Sequence, residues 1–432
     1  MLFNYTLGRE LSQQSTTKHY YHPKKLLLLG IVANLALLGY FKYSDFFLDT
    51  VNIIFDTNIP LLHLALPLAI SFYTFQQIAY LVDSYKKETK EYDFLNYAVF
   101  VTFFPQLIAG PIVHHTEMMP QFATLKNKVI QHKNIALGLF IFSIGLFKKV
   151  VIADSFAIWA TQGFDVAYTL NMLEAWMTSL SYTFQLYFDF SGYTDMALGI
   201  GLLFNIKLPI NFDSPYKAKS IQDFWRRWHI TLSRFLKEYI YIPLGGNQKG
   251  EIRTYTNLFS TFLLGGIWHG AGWTFVLWGA LHGLALIIHR AWQKIGLRLP
   301  TFLAWFITFN FINIAWVFFR ANNFHDALKV LSGMFRFSDL TLSKSKQFYH
   351  LLHFKHPAET FFSFNIINYT FILLIVGFII VLFFQNTKAW QHYFISLKKV
   401  PVWLVLASGI MLGVSLIALN MNTHSEFLYF NF

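Results

Sequence analysis

The segment SIQDFWRRWHITLSRFLKEYIYIPLGG occupies Ser220–Gly246, and the segment GGIWHGAGW follows it at Gly265–Trp273. The first segment is basic and aromatic, and its apolar side chains recur every three to four residues, which predicts an amphipathic interfacial helix. Each segment places one histidine, His229 or His269, among apolar neighbours. A neutral imidazole still needs partners for two ring nitrogens, so both positions are candidates for a functional site.

The composition of the 432-residue chain is that of an integral membrane protein, because 55% of the residues are hydrophobic, 19% are aromatic and only 13% are charged. A helix that spans the hydrocarbon needs about 20 apolar residues. The sequence offers about ten such stretches, so we predict an all-α, polytopic membrane fold with additional re-entrant and interfacial helices. One integral domain is expected over residues 1–432, and it includes a basic interfacial region at 207–253.

Net charge and absent motifs exclude several classes of function. Basic residues in cytoplasmic loops and at lipid headgroups explain the formal charge of +12, so we expect membrane lipid and no nucleic acid as a partner. The sequence has no cysteine, and it contains no G-x-S-x-G elbow, zinc-protease helix or P-loop. No metal site and no bound cofactor are expected, because no close histidine pair has a supporting acid at ligand spacing.

The distribution of basic residues predicts a multi-pass protein of the inner membrane with a cytoplasmic N-terminus, from which Leu26–Phe41 leads outward. The prolines and glycine of Phe94–Val113 predict a broken or re-entrant segment. Leu258–Ala291 is too long for one span and is expected to divide at Gly270–Gly272. Near the end of that stretch, His282 and His289 share a helix face, and interfacial placement is the default for both.

Leu173–Phe204 is also too long for one span, and Ser191 and Gly192 are predicted to turn the chain within it. Asp189 and Asp195 flank this turn. An acidic residue at membrane depth is a functional candidate. Capping of helix ends at the predicted turn is the simpler explanation for both carboxylates.

Basic and aromatic side chains beside His229 suggest a binding surface for the phosphates of a soluble acyl donor, such as a coenzyme thioester. The candidates for donor binding are Trp225, Arg226, Arg227 and Trp228. A histidine can take a proton from a hydroxyl that attacks an activated acyl group. A lone histidine on an apolar face is more often a satisfied core residue, so these residues alone leave the roles of His229 and His269 open.

Several runs of the sequence resemble one family. They are FDFSGYTDMALGIGLLF at Phe188–Phe204, LPINFDSPYKAKSIQDFWRRWHITLSRFLKEYIYIPLGG at Leu208–Gly246, and GGIWHGAGWTFVLWGALHG at Gly265–Gly283. With FFPQLIAGPIV and the closing EFLYFNF, these runs are similar to the membrane-bound O-acyltransferases (MBOAT), and in particular to the bacterial branch that O-acetylates alginate and peptidoglycan. The resemblance covers nearly the whole chain.

The resemblance implies an MBOAT fold with a central funnel, in which acetyl-CoA is the cytoplasmic donor and acetyl is delivered outward to a polysaccharide acceptor. It implies that His269, in IWHG, is the catalytic histidine and that His229, in RRWHITLS, is the second characteristic position of the family. Our leading hypothesis is that His269 acts as the general base and that His229 positions the thioester or the acceptor. The resemblance also implies Tyr429 as an acyl carrier and a periplasmic serine-type (SGNH) acetyltransferase as a partner. Family members open with further hydrophobic segments, and we expect this chain to lack the first of them.

Three other functions remain compatible with the sequence. The same fold could carry another acyl group, such as D-alanine or a lipid acyl chain. The broken segments could line the substrate path of a transporter or flippase. A scaffold for a periplasmic enzyme is a third alternative, and it gives the least account of His269.

Overall fold

The fold is a helical assembly, seen in a computed structural model that describes residues 1–13, 22–89, 93–107, 110–337, 366–421 and 427–428. Within these ranges the chain forms helices and connecting turns and no β-strand. The helices are α1 Leu2–Gln13, α2 Pro23–Leu38, α3 Ser44–Phe55, α4 Ile70–Tyr85, α5 Phe94–Thr102, α6 Phe104–Leu107, α7 His115–Ala123, α8 His132–Phe147, α9 Asp154–Thr161, α10 Met172–Leu203, α11 Ile221–Trp225, α12 Ile230–Leu236, α13 Glu251–His269, α14 Trp273–Ile295, α15 Thr301–Arg320, α16 Phe324–Met334, α17 Ile366–Phe383, α18 Thr387–Ser396 and α19 Val402–Met421.

Several of these helices continue into one another through wide π-helical turns. Gly39–Tyr43 joins α2 to α3, Lys148–Ala153 joins α8 to α9, Gln162–Val166 extends α9, and Lys237–Tyr241 extends α12. A π-turn inserts an extra residue into a helix and rotates the side chains that follow, so it often occurs at functional sites. The turn at Gly39–Tyr43 interrupts a helical stretch of 33 residues.

Five helical stretches in the described part of the chain are long and apolar enough to cross a membrane, and a pair of helices bent by 51° would make a sixth. The five are Pro23–Phe55, His132–Val166, Trp273–Ile295, Thr301–Arg320 and Val402–Met421. The predicted all-α membrane class is therefore confirmed, whereas the predicted number of about ten membrane helices is not. The extent of the single domain over residues 1–432 stays a prediction.

The long helix α10 lies at the centre of the protein and corrects two predictions. Ser191 and Gly192 do not turn the chain, because α10 is continuous over its 32 residues. Gly192 instead permits helix crossing, since a Cβ there would lie 2.7 Å from the carbonyl oxygen of Gly145 in α8. Asp189 and Asp195 do not cap helix ends. They are buried in mid-helix and pair with basic residues, and Asp195 lies 2.6 Å from Lys148.

Two of the predicted interruptions are present. Helix α5 ends at Thr102 and α6 at Leu107, so the segment Phe94–Val113 is broken. Helix α13 ends at His269 and α14 begins at Trp273, which confirms the division at Gly270–Gly272. The predicted interfacial helix, by contrast, is not one helix, because α11 and α12 are separated by a turn that ends at His229.

Candidate active site

His229 lies at a backbone position that few side chains adopt. Its φ of +43° is in the left-handed region, and its side chain is completely buried. The turn is held by Asn211, whose backbone oxygen accepts from the Ile230 N–H at 3.0 Å. The Asn211 side-chain oxygen accepts from the backbone N–H and the hydroxyl of Thr231, at 3.2 and 2.9 Å. Asn211 therefore fixes the turn that presents His229.

The same oxygen of Asn211 determines the tautomer of His229. The Nδ1 atom of His229 lies 3.2 Å from Asn211 Oδ1. Because this oxygen already accepts from a backbone N–H, the imidazole must donate to it from Nδ1. Burial lowers the pKa of His229 to about 3, so the ring is neutral. The Nε2 atom consequently carries the lone pair and is the basic nitrogen of His229.

His269 is the last residue of α13, and aromatic rings surround it. It is 3% exposed, and its ring lies at 5.2 Å from Trp278 and 5.1 Å from Phe319 in edge-to-face contacts. The centroids of the His269 and His229 rings are 6.5 Å apart. The structure thus brings together the two histidines that the sequence singles out, although 39 residues separate them along the chain.

A third buried histidine adjoins this pair, and the interfacial placement predicted for His282 is wrong. His282 is fully buried in α14, and its Nδ1 accepts from Trp225 Nε1–H at 3.2 Å. Its ring lies 4.6 Å from that of Trp278, which also contacts His269. The sequence does not predict this burial, because His282 shares a helix face with His289 near a basic helix end. Nothing in the sequence shows that other helices cover this face.

A cavity of about 590 Å³ lies on the basic side of these aromatic residues, and we call it the basic cavity. Its charged and imidazole side chains are Arg226, Lys237, His289 and Arg290. Gly245 and Gly246 contribute backbone to its wall, and Trp225 closes it toward the buried histidines. The size and the cations suit a phosphate-bearing ligand of low molecular weight.

The four donor-binding candidates divide between two locations. Trp225 and Arg226 line the basic cavity. Trp228 does not line it and is buried in the aromatic core, while the guanidinium of Arg227 donates to Asp223 at 2.7 Å. Arg227 also donates to the backbone oxygen of Asp213. Burial raises the pKa of the Asp213 carboxyl, but hydrogen bonds from Lys388 and Asn386 outweigh it and the net pKa is lowered.

A second cavity, of about 290 Å³, lies beside the end of α13, and we call it the helix-end cavity. It is lined by Gly270 and Ala271, by Phe275 of α14, and by Lys42 and Asp45 from the N-terminal helices, among others. Phe275 of α14 lines the helix-end cavity, and Arg290 of the same helix lines the basic cavity. At a rise of about 1.5 Å per residue, these two residues are about 22 Å apart along the helix. The cavities therefore occupy opposite ends of α14, and His269 adjoins the helix-end cavity through Gly270.

The short segment formed by Phe427 and Leu428 packs onto the core near His229. The Phe427 ring stacks on Tyr193 at 4.3 Å, and the Leu428 N–H donates to Asp189 Oδ2 at 3.0 Å. Lys149 lies 2.8 Å from the other oxygen of Asp189. The carboxylate of Asp189 therefore anchors this segment. The carrier candidate Tyr429 lies outside the described residues.

Buried histidines beside two cavities, in a helical protein with five apolar stretches in its described part that are long enough to cross a membrane, indicate a membrane enzyme with its candidate active site at these histidines. The sequence profile of the membrane-bound O-acyltransferase family matches residues 82–327. The chain belongs to this family. The predicted acyltransferase class and the multi-pass membrane character are thereby confirmed, and relatives named as O-acetyltransferases confirm the finer class.

Individual relatives agree with this assignment. The peptidoglycan O-acetyltransferase of Helicobacter pylori is 51% identical over all of this chain and 86% of its own length. A probable alginate O-acetylase of Pseudomonas putida is 42% identical over 79% of this chain and 71% of its own. The teichoic acid D-alanyltransferase of Bacillus subtilis is more distant, at 27% over 60% of this chain.

Proposed function

We propose that this protein takes acetyl groups from acetyl-CoA on the cytoplasmic side and delivers them outward for O-acetylation of peptidoglycan. The observation that carries the proposal is the placement of His229 and His269 between two cavities at opposite ends of α14. The peptidoglycan enzyme, which matches this chain from end to end, supports that acceptor. An alginate-like exopolysaccharide is the second candidate, favoured by the alginate relatives.

Acetyl-CoA would enter at the basic cavity. Arg226, Lys237 and Arg290 would contact its phosphates, and Trp225 would pack against the pantetheine chain as it runs inward. The positive-inside rule supports a cytoplasmic location for this cavity, since 207–253 is the longest basic stretch of the chain. Arg227 and Trp228 would hold the fold around the site and would not touch the donor.

His269 is proposed as the general base and His229 as the residue that positions the thioester or the acceptor. The acceptor oxygen attacks the thioester carbonyl while its proton passes to the imidazole of His269. The new C–O bond forms as the C–S bond breaks, and the proton then passes from His269 to the thiolate of CoA. The surrounding rings exclude water, which limits hydrolysis of the thioester.

Tyr429 is proposed as the first acceptor. The docking of Phe427 and Leu428 beside Phe190, whose ring lies 4.8 Å from that of His229, supports an arrangement in which the next residue reaches the site. A periplasmic serine-type acetyltransferase would take the acetyl ester from Tyr429 and pass it to the polysaccharide. No resident cofactor takes part in this scheme.

The test is transfer of labelled acetyl from acetyl-CoA by the protein in liposomes. The His269→Ala variant should lose transfer, whereas His325→Ala, at a histidine whose side chain is 87% exposed, should retain it. Undiminished transfer by His269→Ala would show that His269 is not the general base and would refute the proposed function. A D-alanyl or lipid acyltransferase would leave Tyr429 unlabelled. A transporter would move an intact substrate and would tolerate His269→Gln.

A further inference from the structure

The end of α13 receives hydrogen bonds from the N-terminal π-turn, at the residue that the proposed function makes the base. The last four carbonyl groups of an α-helix have no partner within the helix. In α13, three of these belong to Ile267, Trp268 and His269. Each of the three accepts a hydrogen bond from Lys42 or Tyr43.

The donors of Lys42 and Tyr43 lie at hydrogen-bonding distance from their acceptors. Lys42 Nζ donates to the Trp268 oxygen at 2.6 Å and to the His269 oxygen at 3.1 Å. The Tyr43 hydroxyl donates to the Ile267 oxygen at 2.6 Å. The third proton of the ammonium points to Ser71 Oγ in α4, at 3.2 Å. All three donors of Lys42 are thus engaged, and the side chain is held between α4 and α13.

Helical geometry explains why two consecutive residues can reach one helix end. Consecutive side chains of an α-helix point about 100° apart, so they do not normally contact the same neighbouring helix end. Lys42 and Tyr43 close the π-turn Gly39–Tyr43, where the extra residue alters the direction of the side chains. A cation at the carboxyl end of a helix is also favoured by the helix dipole.

A lysine in an apolar helix is costly and calls for a reason. Contact with water does not explain the charge of Lys42, because the side chain is only partly exposed. It also lies in the stretch Pro23–Phe55, which is apolar enough to span a membrane. Lys42 also lines the helix-end cavity together with Gly270, the residue after His269. Both Lys42 and Tyr43 fall outside residues 82–327, to which the family profile applies.

We propose that Lys42 and Tyr43 are positioning residues that hold the end of α13 so that the His269 ring faces the reacting groups. This inference rests on the proposed function of His269. Neither side chain is assigned contact with substrate. Their effect is on geometry, because a displacement of about 1 Å in a catalytic group can lower turnover by about 100-fold.

The experiment measures acetyl transfer and amide hydrogen exchange on full-length variants in liposomes. Lys42→Ala is expected to lower kcat by about 10- to 100-fold and to leave the KM for acetyl-CoA within about twofold. Lys42→Arg, which can donate to the same carbonyls, should restore most of the loss. Tyr43→Phe, which removes one of the three bonds, should have a smaller effect than Lys42→Ala.

Matched controls come from the same helical stretch. Lys25→Ala removes an exposed lysine of α2, and Thr50→Val removes a hydroxyl that donates to the Phe46 oxygen one turn back within α3. Both should behave as the parent protein does. In Lys42→Ala, amide exchange in the last turn of α13 should accelerate, while in both controls it should not change.

The outcomes separate this inference from the proposed function. Unchanged amide exchange in Lys42→Ala would overturn the hydrogen-bonded positioning whatever the activity. Faster exchange with unchanged kcat, or a raised KM with unchanged kcat, would overturn a role in placing His269. Retained transfer by His269→Ala would refute the proposed function, and the exchange measurement would still decide whether Lys42 holds the helix end.

Discussion

The two histidines proposed for the chemistry, His229 and His269, are held by different parts of the chain. His229 depends on a local loop, because Asn211, only 18 residues away, contacts its ring and fixes its turn. His269 ends a regular helix, and its carbonyl is bound by Lys42, 227 residues away. A turn held by one nearby side chain can be changed by a single substitution. A helix end that depends on the N-terminal helices requires the assembled protein.

The largest expected effect separates the chemical roles of the two histidines. His269→Gln should lower transfer by about 10²- to 10⁴-fold, the range for loss of a general base. His229→Gln should lower it less, because a positioning residue affects geometry and leaves the base in place. In the double variant, transfer should be no lower than in His269→Gln, since residues that act as a unit are not additive. Additive losses in the liposome assay would show that the two rings act independently.

Asn211→Ala tests the local half of the comparison. The Asn211 side chain is fully buried, and the change removes its oxygen, which accepts from the Thr231 N–H and from the His229 ring. Both donors would then be buried without this acceptor. We expect it to lower the free energy of unfolding by about 3 kcal/mol, the penalty for unsatisfied buried donors. Thermal unfolding in detergent measures this effect. Asn310→Ala is the control, because its amide bonds only within its own helix at the surface. Equal stability of the two variants would contradict a structural role for Asn211.

Gly266→Ala tests the helix-end half. A Cβ at Gly266 would lie 2.5 Å from the Phe275 oxygen and 2.8 Å from Gly279 Cα, so α13 and α14 would have to separate. We expect a loss of about 2 kcal/mol in stability, as for other overpacked contacts. The loss of kcat should exceed that of Asn211→Ala relative to stability, because His269 lies one turn away. Gly409→Ala, whose added Cβ would meet no atom of another helix within 4 Å, should change neither quantity.

The sequence predicted the parts of this arrangement that depend on neighbouring residues. Glycines at Gly270–Gly272 predicted the division that leaves His269 at a helix end, and the apolar periodicity around His229 predicted its burial. The same reasoning failed at Gly192, because a glycine that permits close helix crossing and one that permits a turn look alike in a sequence. The capping role of Asp189 failed for a related reason, since Lys149 became its partner only through folding.

Other features could not be predicted because they depend on distant partners. The left-handed conformation of His229 follows from Asn211, and periodicity alone favours one continuous helix through this position. The interaction of Lys42 with α13 joins a residue outside the matched family region, residues 82–327, to a helix inside it. The apolar stretch around Lys42 was the available signal, because a charge there needs a partner. It did not identify which helix supplies that partner.

The smallest expected effect concerns His282, which links the basic cavity to the aromatic residues around His269. Trp225→Phe keeps most of the ring that lines the cavity and removes the N–H that donates to His282 Nδ1. Stability should fall by about 1 kcal/mol, the usual net value of one hydrogen bond, and the KM for acetyl-CoA should stay within about twofold. Trp292→Phe is the control, because the N–H of Trp292 bonds a loop carbonyl at the surface. Unchanged stability of Trp225→Phe would contradict a structural role for the hydrogen bond to His282, and the comparison of two histidines would then stand without a third.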